Sequence, residues 1–169
     1  ADLYSTTFAN GEWLRYSSAI QNQKNTAIMI KLYVWPGFKG YVDNIVLKDA
    51  NGNVMVELDF DGKTTNVQRT ENDANVVAQI TEAPKIFDPT KNHGLYIDTT
   101  GCSNHSIILL EQAYYGQTAC DYTAEFDLYT IESTDSSQIN LRTSGNAGQG
   151  TADLYSRGFV KDEWAKYSS

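Results

Sequence analysis

The chain has 169 residues and a mass of 18.8 kDa, the size of one domain. It carries 13 Lys and Arg against 21 Asp and Glu, and the net charge of -8 argues against nucleic-acid binding because it repels phosphate backbones. The sequence has no polybasic run and no apolar stretch near about 18 residues, so it predicts no membrane insertion.

Alternation of apolar and polar residues, the period of a half-buried strand, predicts a first strand from Ala27 to Trp35. One face of it would carry Ile28, Ile30, Leu32 and Val34, and the other Met29, Lys31, Tyr33 and Trp35. Asn51-Gly52 predicts a hairpin turn, and residues 144–151, rich in Gly, Asn and Gln, are predicted as a loop. Further strands are predicted, in chain order, at Tyr41–Leu47, Val54–Phe60, Val76–Ile80, Gly94–Asp98, Ser106–Leu110, Tyr122–Ile131 and Ser137–Thr143.

No window shows the 3.6-residue apolar stripe and caps of a helix. Many short strands separated by turns predict a single all-β domain over residues 1–169, a β-sandwich of jelly-roll type. The 41% of hydrophobic residues is enough for its core, and the 11 tyrosines with few lysines are typical of proteins that work outside the cell. We therefore expect a secreted, extracellular or cell-surface protein.

The two ends of the chain repeat each other. Residues 1–18 and 152–169 are identical at 11 of 18 positions, with a constant offset and no gap. Chance does not produce this, so the chain holds one unit plus a duplicated segment, as in a piece of a longer tandem array. If the segment forms strands, its two copies compete for one place in the sheets, and an unpaired copy is able to pair with a neighbouring molecule.

Cys102 and Cys120 are the only thiols, and neither has the spacing of a zinc ligand. In an oxidising compartment they predict a disulfide; two separate thiols fit the sequence equally well.

Two runs of residues resemble carbohydrate-binding modules of the xylan- and β-glucan-binding families 4, 9 and 22. Gly11-Glu12-Trp13 and Tyr41-Val42-Asp43-Asn44-Ile45 resemble the closing hairpin and the final strand of such modules. The order is rotated: residues 1–55 resemble the closing half of a module and residues 56–169 the opening half. The resemblance implies a jelly-roll sandwich that binds a polysaccharide in a groove.

Sugars are bound by aromatic rings that stack on their C–H faces and by polar groups at their hydroxyls. The resemblance implies a groove lined by the strand around residues 32–35 and by the strand that ends at Tyr155. The candidate ligand-binding residues are Tyr33, Trp35, Asn140, Arg142, Tyr155, its duplicate Tyr4 and, at one rim with Gln112 and Tyr114, Tyr115. Trp35 stands where the family has a carboxylate, which puts the xylan preference in doubt.

Glu57, Asp59 and Asp61 alternate along one strand, as the carboxylates of retaining β-glucanases do. Such enzymes need two carboxylates about 5 Å apart, whereas residues i and i+4 of a strand lie about 13 Å apart. We therefore expect no catalysis. Asp43, Asp59 and Asp61 are instead candidate ligands of a structural Ca²⁺, since carboxylate oxygens suit that ion.

These observations favour a non-catalytic, extracellular polysaccharide-binding module whose ligand is of β-glucan or xylan type. The alternative is a structural repeat or subunit of a surface fibre, a homo-oligomer that assembles by strand exchange through the duplicated segment.

Overall fold

The computed structural model describes residues 20–21, 26–61, 66–71, 73–84, 93–117, 121–145, 148–155 and 159–168. Side chains are described within 30–61, 73–84, 93–110, 123–142 and 159–167. All regular structure in these ranges is β-strand, and they contain no helix that is long and apolar enough to cross a membrane. The predicted all-β class is thus confirmed.

Seven strands form the first sheet, in the order β1-β9-β3-β7-β6, with β12 also pairing with β9 and β4 with β3. All these pairs are antiparallel. The strands are β1 (Ile20–Gln21), β3 (Lys39–Asp49), β4 (Val54–Leu58), β6 (Val77–Glu82), β7 (His93–Asp98), β9 (Asp121–Glu132) and β12 (Trp164–Ser168).

Five strands form the second sheet, in the order β11-β10-β2-β8-β5, again with antiparallel pairs throughout. They are β2 (Thr26–Val34), β5 (Asn66–Glu71), β8 (Ser106–Gln117), β10 (Gln138–Gly145) and β11 (Gly148–Tyr155). The two sheets enclose one hydrophobic core, which makes the domain a β-sandwich. The jelly-roll connectivity stays a prediction.

Each sheet sends every second side chain into the core, as the two-residue period requires. Ile30, Leu32 and Val34 of β2 are fully buried, as the sequence predicted, and they face the buried side chains of the other sheet. The largest buried side chains of that sheet include Phe126 of β9, and Phe38 and Phe60 just outside β3 and β4. Gly40 of β3 allows close packing, because a Cβ there would lie 2.2 Å from the Tyr129 carbonyl oxygen.

The hairpin predicted at Asn51-Gly52 joins β3 to β4. Gly52 has φ +84, which favours glycine, and its amide donates to the Asp49 carbonyl at 2.9 Å. The Asp49 carboxylate accepts from the amides of Asn51 and Asn53, so the turn is also held by a side chain.

The loop predicted at residues 144–151 is wrong where the structure describes it: residues 144–145 end β10, and residues 148–151 are the first half of β11. Gly148, Gln149, Gly150 and Thr151 pair with β10, whose Gly145 lies opposite Gly148. Pairing with an adjacent strand outweighs the low strand propensity of glycine, which is a tertiary effect that local composition does not reveal.

Candidate functional site

The candidate site lies on the outer face of the five-stranded sheet, built around β2. Because Leu32 and Val34 point into the core, the alternation turns Tyr33 to the opposite face, where it is half-buried. Lys31 precedes it on the same face and is half-buried as well. The strand thereby presents a cation and an aromatic ring side by side.

Trp35 follows the last residue of β2, and its backbone is fixed from two sides. Its amide donates to the Gln138 carbonyl at 2.9 Å, and its carbonyl accepts from the Thr99 hydroxyl at 2.8 Å. Gly37, at φ +85, then turns the chain toward β3. The indole itself is half-buried, and the hydrogen bonds to the Trp35 backbone hold it in place on the sandwich.

His105, one residue before β8, joins the two aromatic rings. Its imidazole stacks with the Trp35 ring at a centroid distance of 5.2 Å and with the Tyr33 ring at 6.2 Å. On the neighbouring strand β10, the guanidinium carbon of Arg142 lies 4.1 Å from the centroid of the Tyr33 ring, a cation–π contact. Trp35, His105, Tyr33 and Arg142 therefore form one continuous cluster, which we call the aromatic cluster.

Asn140 lies directly opposite Tyr33 in the register of β10 and β2. Its side chain is only 1% exposed, and its amide oxygen accepts from the Gln138 amide at 2.7 Å. Asn140 thus binds the half-buried Gln138 side chain and is itself shielded from solvent.

The other predicted ligand-binding residues are described less fully. Tyr155 of β11 pairs with Gln138, two residues from Asn140, so its backbone adjoins the aromatic cluster. Its side chain lies outside the described part of the structure, as do those of Gln112, Tyr114 and Tyr115 on β8. Tyr4 lies outside the described residues altogether.

The structure brings the predicted ligand-binding residues Tyr33, Trp35 and Arg142 into one cluster, together with His105, which the sequence analysis did not name as a site residue. No local pattern marks this histidine, because its role depends on the pairing of β8 with β2. Ser106 lies opposite Val34, and this register brings His105 beside Trp35.

The outer face of the seven-stranded sheet carries a second aromatic row. Tyr41 lies opposite both Tyr96 and Tyr129, and Tyr129 lies opposite Trp164. Neighbouring centroids are 5.2 Å apart for Tyr41 and Tyr96, and 5.7 Å for Tyr129 and Trp164. Tyr129 and Trp164 are each only 5% exposed, and the Trp164 indole donates to the Pro84 carbonyl. Half of this row is therefore covered.

Beside that row lies a pair of buried carboxylates. Asp43 and Asp127 are opposite each other on β3 and β9, at a bulge where Asn44 adopts φ 47. The Asn44 side-chain amide donates to Asp127 at 2.8 Å, and the Lys166 ammonium lies 3.9 Å from the same carboxylate. Burial raises the pKa of the Asp127 carboxyl, against the opposing effects of Asn44 and Lys166.

The calcium ligands predicted at Asp43, Asp59 and Asp61 gain no support from these positions. Asp43 accepts from the Asn44 amide at 2.7 Å, and Asp61 accepts from the His93 amide at 2.9 Å. Across the described ranges, no group of three or more His, Cys, Asp or Glu side chains is arranged to hold a metal ion. Calcium binding stays a prediction.

The predicted disulfide also remains untested. Cys102 is half-buried in the loop after β7, where its amide donates to the Thr99 carbonyl at 3.1 Å, and Cys120 lies outside the described residues.

Comparison with known proteins finds no matching family model, no matching curated protein and no matching solved structure.

Proposed function

We propose that this domain is a non-catalytic polysaccharide-binding module whose binding surface is the outer face of the five-stranded sheet. The observation that carries the proposal is the aromatic cluster, in which two half-buried aromatic rings and two nitrogen-rich side chains are gathered on one sheet face. Extracellular work on a glycan of β-glucan or xylan type agrees with the tyrosine-rich composition.

The chemistry of the cluster suits a sugar chain. Aromatic rings accept the flat C–H faces of pyranose rings, while guanidinium, ammonium and imidazole groups donate hydrogen bonds to hydroxyl oxygens. Trp35 and Tyr33 supply the first kind of contact, and Arg142, Lys31 and His105 the second. A ligand held this way gains little from buried charge, so we expect affinity in the micromolar range, about -8 kcal/mol or weaker.

The positions of these residues also favour a preformed surface. The backbone of Trp35 is held by hydrogen bonds from two sides, and Tyr33, near the end of β2, is paired on both edges. Because the rings need no ordering on binding, little conformational entropy is lost.

Affinity electrophoresis in gels containing soluble xylan or β-glucan tests the proposal. The wild-type chain is expected to be retarded by at least one of the two polymers, and Trp35→Ala and Tyr33→Ala are expected to migrate as in a gel without glycan. Tyr96→Ala, which removes a half-buried ring from the other sheet, is the matched control and should stay retarded. Retardation of Trp35→Ala equal to that of the wild type would refute the proposed surface.

A further inference from the structure

Residues 152–169 are called the closing segment, and its described parts pair with one strand of each sheet. Its first part, Ala152 to Tyr155 in β11, pairs with residues 138–141 of β10. Its last part, β12, pairs with residues 125–129 of β9. The edges of β10 and β9 that it covers form one extended site, which we call the slot.

The closing segment is held in the slot mainly by three large side chains. Phe159, Trp164 and Tyr167 are all buried. Phe159 packs edge-on against Phe38, Tyr167 stacks on Phe126 at 5.9 Å, and Trp164 contacts Tyr129. All three recur in residues 1–18, the first copy, as Phe8, Trp13 and Tyr16.

At the positions that the structure describes, the two copies differ mostly where the closing segment is exposed. Val160, Lys161, Asp162 and Lys166 are exposed, and the first copy has Ala9, Asn10, Gly11 and Arg15 there. Asp162 has φ 60, a conformation that glycine adopts without strain, so Gly11 suits that position better. Arg15 keeps the positive charge that Lys166 places 3.9 Å from Asp127. The exception is Ala165, a buried residue that corresponds to the larger Leu14.

The register of β1 gives an independent observation. β1 and β12 lie end to end along the same edge of β9, with Ser168 opposite Glu125 and Ile20 opposite Tyr122. Two residues of β9 separate Glu125 from Tyr122. In the first copy, Ser17 corresponds to Ser168, and two residues likewise separate Ser17 from Ile20. If Ser17 took the place of Ser168 opposite Glu125, an unbroken strand from Trp13 to Gln21 would place Ile20 opposite Tyr122. That is the pairing observed for Ile20.

We propose that the slot has two competing occupants within this chain: the closing segment, as seen here, and residues 1–18. When the first copy occupies the slot, Trp13 to Gln21 forms a single strand on β9, and no loop has to be closed because residue 18 leads directly to β1. The closing segment is then released. Since one slot cannot hold both copies, one copy is always left over, carrying a Phe, a Trp and a Tyr that require burial.

Substitution of the paired anchors in the full chain tests this proposal. One variant carries Trp164→Ala and Tyr167→Ala, a second Trp13→Ala and Tyr16→Ala, and a third all four substitutions. If either copy fills the slot, each two-fold variant keeps most of the wild-type denaturation midpoint. The denaturation midpoint of the four-fold variant then falls by far more than the sum of the decreases in the two-fold variants. Such strong non-additivity is expected when two segments share one site. Val160→Ala, which makes an exposed position identical to the first copy, is the control and should match the wild type.

In the opposite result, the Trp164→Ala and Tyr167→Ala variant would lose as much of the denaturation midpoint as the four-fold variant. The Trp13→Ala and Tyr16→Ala variant would then keep the wild-type midpoint. This result would show that only the closing segment fits the slot. Should the four-fold variant fail to fold, the proposal still requires both two-fold variants to unfold cooperatively at similar midpoints. Light scattering of those variants across a dilution series must give the mass of a monomer. A mass that doubles on concentration would instead place the occupant on a second copy of the chain and overturn closure within one chain.

Discussion

The outer faces of the two sheets both carry aromatic side chains, but they differ in what surrounds those rings. On the five-stranded sheet, Tyr33 and Trp35 are half-buried and contact the nitrogen-rich side chains of Arg142 and His105. On the seven-stranded sheet, Tyr129 and Trp164 are buried. Beside that second row lie the buried carboxylates Asp43 and Asp127, with the Lys166 ammonium 3.9 Å from Asp127.

Aromatic residues therefore have two different roles on the two faces. Rings covered by chain contribute to stability through the apolar area they bury, whereas half-exposed rings leave part of that area for a ligand. We therefore expect substitutions on the seven-stranded face to act on folding, and substitutions on the five-stranded face to act on glycan binding.

The largest expected effect on stability comes from Tyr129 on the seven-stranded face, and Tyr33 on the five-stranded face is its comparison. Tyr129→Ala removes a buried ring packed against Trp164 and Tyr41, so we expect a loss of about 3–5 kcal/mol in the free energy of unfolding. Tyr33→Ala removes a half-buried ring from the other face and should cost about 1 kcal/mol. Denaturant titration measures both, and equal losses would mean that the two faces do not differ in this way.

The carboxylates of the seven-stranded face predict a pH dependence. Burial raises the pKa of Asp127 in the folded state, so its ionisation destabilises the fold as the pH rises through that pKa. Asp127→Asn cannot ionise. Relative to the wild type, this variant should therefore gain stability between pH 3 and pH 7, which denaturant midpoints at the two pH values would show. A constant difference between variant and wild type would contradict the assigned shift.

Arg142 tests the cationic side of the five-stranded face. Arg142→Gln removes the guanidinium from the Tyr33 ring and should cost about 0.5–1 kcal/mol of stability. Glycan affinity should fall several-fold, because a donor to the sugar hydroxyls is lost. Lys166→Gln removes an exposed cation from the other face and is the control, whose glycan affinity should stay unchanged.

The smallest effect is expected from calcium. If Asp43, Asp59 and Asp61 bind the ion, a chelator should lower the thermal midpoint of unfolding, and added Ca²⁺ should restore it. A midpoint that does not respond to either treatment would exclude a structural calcium site.

The sequence predicted most of the strands because apolar alternation is a local signal. It identified β2 and the buried positions Ile30, Leu32 and Val34, and it placed the Asn51-Gly52 turn correctly. It failed for β11, where glycines pair with β10, and it gave no sign of β5 at Asn66–Glu71. In both cases the strand is stabilised by its neighbour in the sheet and has little intrinsic preference of its own.

The candidate site was predictable only in part. Tyr33 and Trp35 share a face because of the two-residue period, which any strand imposes. The position of Arg142 above Tyr33 and that of His105 beside Trp35 depend on the register between strands that are far apart in the chain. No local pattern in the sequence encodes such registers. The prediction that Arg142 lies near Tyr33 came from the resemblance to carbohydrate-binding modules.

The most direct test of glycan binding at the five-stranded face is a titration with xylan and β-glucan oligosaccharides followed by tryptophan fluorescence. The account predicts a saturable change in the wild-type chain with at least one of these ligands, and its loss in Trp35→Phe, because Trp35 is the indole in the proposed surface. The absence of a saturable change with every oligosaccharide, or an unaltered change in Trp35→Phe, would contradict the account.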